Sequence, residues 1–361
     1  MTAHRQPRIN AIGTAVPGRE VHGTFIDWAA RHIEGTREHA LFLRMAERSG
    51  IARRWSVVGD PAMGARDVRA TDPDSFYGDV VMPGTAARMA IYAAAAPPLA
   101  LAAIRDLADH VSLDGITHVV VASCTGFTAP GLDQIIAREL GLAADVERLF
   151  VGFMGCYAGA TALRSAWHLV RSQPDARVLV LCLELTTLHL QATGSVEQLL
   201  AMLQFGDGAA AALVTGEGGG LAISGPIALA LAESADLIRW DISDTGFVMH
   251  LSGQVPGRIQ RALEEPDVRA ALIPDGADAI GEWAVHGGGR SILDSVERGL
   301  TLTQGSLADS RAVLNRAWPW RSDRGWRSRV SGSRPPDGRL APASGCRAGA
   351  DGRSHAPGRG L

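Results

Sequence analysis

The chain contains no lysine: all 35 of its basic residues are arginine. Set against 38 acidic residues they leave a formal net charge of −3. The bias therefore reads as the codon usage of a GC-rich genome and not as adaptation to nucleic acid. Asparagine occurs only as Asn10 and Asn315. Cysteine is sparse as well. Cys124, Cys156, Cys182 and Cys346 have no Cys-x-x-Cys spacing and no adjacent histidine pattern. That argues against a disulfide framework and a metal site, and favours a reducing cytoplasm. The N-terminus Met-Thr-Ala-His-Arg-Gln-Pro-Arg is not a signal peptide, and no apolar run reads as a membrane span. What remains is 361 residues, 46% hydrophobic and 20% charged, an ordinary balance for a globular chain of two subdomains or one large domain.

The hydrophobic pattern predicts an α/β protein. A helix is expected around Trp28–Ser49, a turn-rich surface loop over 60–80, and an alanine-rich helix over Ala86–Leu107 that Pro97-Pro98 kinks or interrupts. Strands and helices then alternate: strands over Thr117–Ser123, Arg148–Phe153, Arg177–Glu184 and Ala209–Thr215, helices over Gly131–Leu140, after Cys156, and over Val196–Met202. Val119-Val120-Val121 and Val178-Leu179-Val180-Leu181 are continuous apolar runs, as expected of strands covered on both faces. Glu217-Gly218-Gly219-Gly220 reads as a turn. A second half begins at Leu221 and includes a Trp283-Ala284-Val285 strand and helices over Ile292–Leu300 and Leu307–Arg316. The division expected is 1–216, 217–316 and a tail, 317–361. The tail holds nine arginines, eight glycines and five prolines, with only Val330, Leu340 and Leu361 among the branched aliphatics. Such a segment buries too little apolar surface to offset its ordering entropy.

Cys156 carries the chemistry. It follows an apolar strand and Gly155, and the small residues Ala158-Gly159-Ala160 open a helix after it. Two readings of this thiol are open, a buried structural cysteine and a nucleophile. The strand-turn-helix elbow favours the nucleophile, with a thiol acidified by the helix N-terminus. His286 is the candidate partner, because it ends an apolar strand and precedes three glycines, which should face its ring to an open pocket. His168 and His189 lie in apolar segments and read as structural histidines.

Three motifs, Gly155-Cys156-Tyr157-Ala158-Gly159, Phe205-Gly206-Asp207-Gly208-Ala209-Ala210 and Trp283-Ala284-Val285-His286-Gly287-Gly288, stand in the order and spacing of one family. With Arg44-Met45-Ala46-Glu47-Arg48 they resemble type III polyketide synthases of the chalcone-synthase-like group, from about residue 8 to Arg316. The resemblance implies a thiolase-like fold, two similar halves in a layered αβαβα arrangement, and a homodimer without resident cofactor. It implies acyl loading on Cys156, with His286 holding the thiolate as an ion pair, and acyl-CoA and malonyl-CoA as substrates. Phe205 matches a gatekeeper aromatic and Met249 falls where plant relatives carry a second one. Cys124, a common bacterial variant, lies in a cavity and dimer-contact loop. Arg44 and Arg48 match contacts to coenzyme A, while Leu41 stands where a third basic contact is usual. Thr186, His189, Ala201 and Met249 are expected to set pocket size, and similar bacterial segments imply an alkylpyrone, an alkylresorcinol or another small polyphenol. Ketoacyl synthase III and hydroxymethylglutaryl-CoA synthase share the fold and a cysteine, and stay open as alternatives.

The match breaks after Arg316. The family's catalytic triad is Cys, His and Asn, and its Asn lies in a Gly-Asn-Met-Ser turn about thirty residues beyond the His. Here Ala317-Trp318-Pro319-Trp320 follows instead, and the second half is expected to be incomplete. The loss of pattern coincides with the change to Arg/Gly/Pro composition; of two readings, a natural disordered basic tail and a shifted reading frame in GC-rich DNA, that coincidence favours the second. An inactive paralogue is the corresponding alternative function.

Overall fold

A computed structural model describes residues 6–59 and 82–316, with the backbone of 340–342. The first segment gives β1 (Arg8–Ala15), β2 (Arg19–Glu20), α1 (His22–His32), α2 (Glu38–Arg48) and β3 (Trp55–Ser56). The single helix expected around Trp28–Ser49 is two, because Gly35 takes a left-handed φ of 76° between them. The expected 60–80 loop and the tail's composition lie outside the described residues, apart from that short backbone stretch.

Next come α3 (Thr85–Ala108), β4 (His118–Ser123), α4 (Leu132–Glu139), β5 (Glu147–Gly152), α5 (Ala158–Ser172), β6 (Arg177–Leu185), α6 (Val196–Leu203), β7 (Asp207–Thr215) and β8 (Leu221–Ala222). They build one six-stranded sheet in the order β5-β4-β6-β7-β1-β8. β4 is parallel to β5 and β6, while β7 is antiparallel to β6 and β1. Alternation along the strands splits the core as the continuous apolar runs require. Val119, Val121, Leu179 and Leu181 face the α3 side, with Leu99, Ala103 and Leu107. Val120, Ala122, Val178 and Val180 face α5, which presents Ala158, Ala162, Ala166 and Val170 at intervals of four.

Pro97 and Pro98 do not interrupt α3. Each removes one backbone donor, freeing the carbonyls of Ala93 and Ala94, and those residues are exposed, so water completes them. α3 is also long and apolar enough to cross a membrane by length and composition, contrary to the expectation that no segment would be. Its apolar face is spent on the core, through Ile91, Tyr92, Leu99 and Ile104. β1 lies so close to α3 that a Cβ on Gly13 would stand 2.1 Å from the Leu107 amide nitrogen and 2.4 Å from the Ala103 carbonyl oxygen. Gly13→Ala is expected to cost about 3 kcal/mol or more, because both neighbours are backbone. Gly23→Ala, with nothing within 4 Å of the new methyl, should instead gain up to about 1 kcal/mol on α1. Urea midpoints of the two variants measure both.

The remaining residues give the hairpin β9 (Ile238–Ser243) and β10 (Gly246–Leu251), then α7 (Val255–Glu264), α8 (Pro266–Leu272), β11 (Glu282–Ala284), α9 (Arg290–Leu300) and α10 (Ala308–Arg316). They enclose a separate apolar cluster around Trp283, Val285, Leu293, Val296 and Leu307. Among the described residues this half has no sheet beyond the hairpin and a parallel pairing of β11 with β12 (Leu340–Pro342).

Candidate active site

β5 ends at Gly152, and three residues later a single 3-10 turn, Gly155–Tyr157, carries Cys156 into the start of α5. The turn is strained. Phe153 has φ of 55° and Gly155 of 74°, and only the glycine adopts such values freely. Cys156 is solvent-exposed, whereas Cys124 is buried and Cys182 is partly so; all three thiols are free.

Burial acts against the expected acidification of Cys156. Crowding by protein pushes its thiol up to about 11, with the Glu184 carboxylate and Cys124 adding to the rise; only its own backbone amide acts the other way. The residue is nonetheless exposed at its surface. The elbow amides explain the difference. Met154 N donates to Cys124 Sγ at 3.2 Å, and the Gly155 and Phe153 amides also act on the Cys124 sulfur. The helix-start donors thus serve the neighbouring thiol.

His286 follows β11 and is likewise exposed, with its ring 3.4–3.6 Å from the position of a Cβ on Gly288. Crowding lowers its pKa, which favours the neutral ring, and His286 is not among the groups that act on the Cys156 thiol. Burial thus opposes charge on both members of the expected thiolate–imidazolium pair.

Glu184, near the end of β6, is the group that sequence reasoning missed. Its carboxylate accepts hydrogen bonds from Cys124 N at 2.9 and 3.0 Å and from Thr125 Oγ1 at 2.7 Å. Burial raises its pKa to about 7. The sequence did carry a signal, a lone acid inside the apolar run Val178–Leu185.

Beside the elbow lies a cavity lined by Thr186, His189, Met202, Phe205, Trp240, Phe247 and Met249, among others. It borders the elbow through Phe153, whose ring is 5.7 Å from that of Phe247, and through Cys124, whose carbonyl accepts from Trp240 Nε1 at 2.9 Å. His189 stacks on Phe247 at 4.1 Å. The Phe247 amide donates to His189 Nδ1 at 3.0 Å, so Nε2 carries the proton and donates to Thr125 O at 2.7 Å. His189 is thus both the structural histidine expected and a pocket wall, and burial lowers its pKa to about 4. Ala201 does not line this cavity. It is buried in the core, while Gln198, Met202 and Phe205, spaced i, i+4, i+7, present the cavity-facing stripe. Trp240 and Phe247 fill much of the space, leaving a volume of about 40 Å³, room for water and not for a polyketide. A larger recess of about 980 Å³, lined by Arg53, Arg105, Asp106 and Asn315 among others, contains none of the expected site residues.

Arg44 and Arg48 stand one turn apart on the exposed side of α2, with Leu41. Arg290, at the start of α9, donates to the Arg48 carbonyl at 3.3 Å, which ties this basic face to the segment that follows His286. Neither asparagine serves the elbow. Asn315 Nδ2 donates to Gly50 O at 3.0 Å, and Asn10 Nδ2 to Glu217 O and Gly219 O, both at 2.8 Å. Among the described residues no cluster of three or more His, Cys, Asp or Glu is arranged for a metal ion.

Solved structures share this architecture. PKS-I from the brown alga Ectocarpus siliculosus superposes with a TM-score of 0.78 at 24% identity, over 95% of this chain and 97% of that one. 1,3,6,8-Tetrahydroxynaphthalene synthase from Streptomyces coelicolor A3(2), a bacterial type III polyketide synthase, gives 0.77 at 24%, over 95% and 98%. The C-terminal type III polyketide synthase domain of Steely1 from Dictyostelium gives 0.76 at 23%, over 95% and 99%. The fold is thus the thiolase-like one of these enzymes. The family model for the N-terminal domain of chalcone and stilbene synthases matches residues 2–218 and that for the C-terminal domain matches 226–318, so the chain belongs to the chalcone and stilbene synthase family.

Proposed function

We propose that the chain is an acyltransferase of polyketide-forming type, in which Cys156 takes a starter acyl group from coenzyme A. The observation that carries this is an accessible thiol on a strained elbow beside an aromatic-walled cavity. His286 accepts the thiol proton as sulfur attacks the thioester carbonyl, and coenzyme A departs as its thiol. Arg44 and Arg48 hold the coenzyme A phosphates. Malonyl-CoA then loses carbon dioxide beside the apolar edge of Phe205; the enolate carbon attacks the acyl carbonyl on Cys156, the Cys156 sulfur leaves as thiolate, and the extended chain stays on coenzyme A. The exposed apolar residues Phe127, Leu149, Phe153 and Tyr157, at and beside the edge strand β5, support a homodimer.

Radiolabelled malonyl-CoA with acyl-CoA starters of increasing length tests the reading. Pyrone or resorcinol products support it, and a single condensation onto a carrier protein would assign a ketoacyl-synthase activity instead. Since the cavity is nearly filled, Trp240→Ala should lengthen the products and Met249→Phe should shorten them, read by mass spectrometry. A second reading, acyl loading without extension, is favoured by the commitment of both asparagines to backbone carbonyls elsewhere. Its signature is an acylated Cys156 with no loss of carbon dioxide from malonyl-CoA.

A further inference from the structure

A helix ends in carbonyls that no helical amide reaches, and α6 ends against the cavity. The guanidinium of Arg54, just before β3, meets that end. Its Nη1 donates to Met202 O in the last turn at 2.7 Å and to Phe205 O just beyond it at 2.8 Å. The side chain is buried, and Arg54, Phe25, Met202 and Phe205 all line the cavity. Arg54 Nε donates to His22 Nδ1 at 3.2 Å, and Cζ stands 4.4 Å from the centroid of the Phe25 ring. A cation seated at a helix C-terminus, over an aromatic face and on two carbonyls, has little freedom to move.

The residues after Phe205 are held from the other side. Thr186 Oγ1 donates to Gly206 O at 2.7 Å, and the Asp207 carboxylate accepts from Val57 N at 2.8 Å and from Thr187 N at 2.9 Å. Gly206 packs so tightly that an added Cβ would lie 3.3 Å from the backbone nitrogen and oxygen of Trp55. The run Phe205-Gly206-Asp207 is thus pinned residue by residue between the strip 54–57 and the turn after β6. The Arg54 contact falls on the Phe205 peptide itself, and so fixes the point from which the ring enters the cavity.

We propose that Arg54 is a positioning residue for acyl selection: it holds the Phe205 ring where that ring limits the length of starter that Cys156 accepts. This rests on the reading of Phe205 as a gate beside an acyl-accepting Cys156. Lysine at position 54 keeps the charge but has one nitrogen and no planar fork, so it cannot serve both carbonyls and His22 in the same arrangement. The Phe205 peptide is then released, and the wall yields to longer acyl chains.

The test uses the full chain and acyl-CoA starters of increasing length, with the Cys156 adduct timed by intact-protein mass spectrometry. The rates give a preference for long over short starters. Phe205→Ala should raise that preference, and Arg54→Lys should raise it in the same direction by roughly threefold to tenfold. The double variant should go no further than Phe205→Ala alone, because the arginine acts through the ring. His22→Ala leaves the guanidinium in place but frees its Nε end. It should give a smaller shift of the same sign, and it decides the matter if Arg54→Lys does not fold. Equal slowing of every starter, no shift in the Arg54 and His22 variants, or a double-variant shift equal to the product of the two single shifts overturns the proposal. A preference that Phe205→Ala leaves unchanged sinks the gate reading and the proposal with it. An unsubstituted chain that forms no adduct sinks the acyl-transfer reading beneath both.

Discussion

Cys156→Ala is expected to abolish acyl transfer from acyl-CoA, with a loss on the order of 10⁴-fold or greater, as removal of a covalent nucleophile gives. Intact-protein mass spectrometry after incubation with an acyl-CoA should show one acyl adduct on the unsubstituted chain and none on the variant. Cys182→Ala should keep the adduct, because that thiol is enclosed and its pKa is pushed up to about 12. An adduct that survives Cys156→Ala at full stoichiometry would move the acyl site elsewhere. Folding should survive the change, since the Cys156 side chain holds no neighbour in place while the backbone of the turn is fixed by Gly155 and Cys124.

The second large effect concerns the oxyanion. With Asn10 and Asn315 both committed to backbone carbonyls, no asparagine among the described residues is left to stabilise the thioester enolate. Replacing the sequence after Arg316 with a tail that begins in a Gly-Asn-Met-Ser turn should raise malonyl-CoA decarboxylation by on the order of 10²–10³-fold. Reading the gene in the other two frames across codon 316 should reveal that turn. A grafted tail that leaves decarboxylation unchanged, in a chain that still accepts acyl groups on Cys156, would show that the missing asparagine does not limit this protein.

Elements with a strong one-dimensional signature were legible from residue order. Val119–Val121 and Val178–Leu181 read as doubly covered strands, and the Gly155-Cys156 elbow was readable because a glycine and small residues mark the turn where the apolar run stops. What escaped depends on partners far apart in the chain. The direction of the Cys156 shift follows first from its burial by distant parts of the chain, and the Met154 amide goes to Cys124, thirty residues earlier. Glu184 was visible as a lone acid in an apolar strand, but its role appears only when Cys124 and Thr125 fold against it. Ala201 was misplaced by one helical register, as Gln198, Met202 and Phe205 turn toward the cavity. The proline pair in α3 misled because exposure of the freed carbonyls is a tertiary property.

The Trp240 indole reaches back 116 positions to the Cys124 carbonyl. The first sheet and the thiol turn can be complete during synthesis well before that indole leaves the ribosome. The chamber's far wall is then the last component to arrive. A fragment ending before residue 238 should keep its central layer yet offer no enclosed space, and a polypeptide still emerging would be spared premature capture of acyl groups.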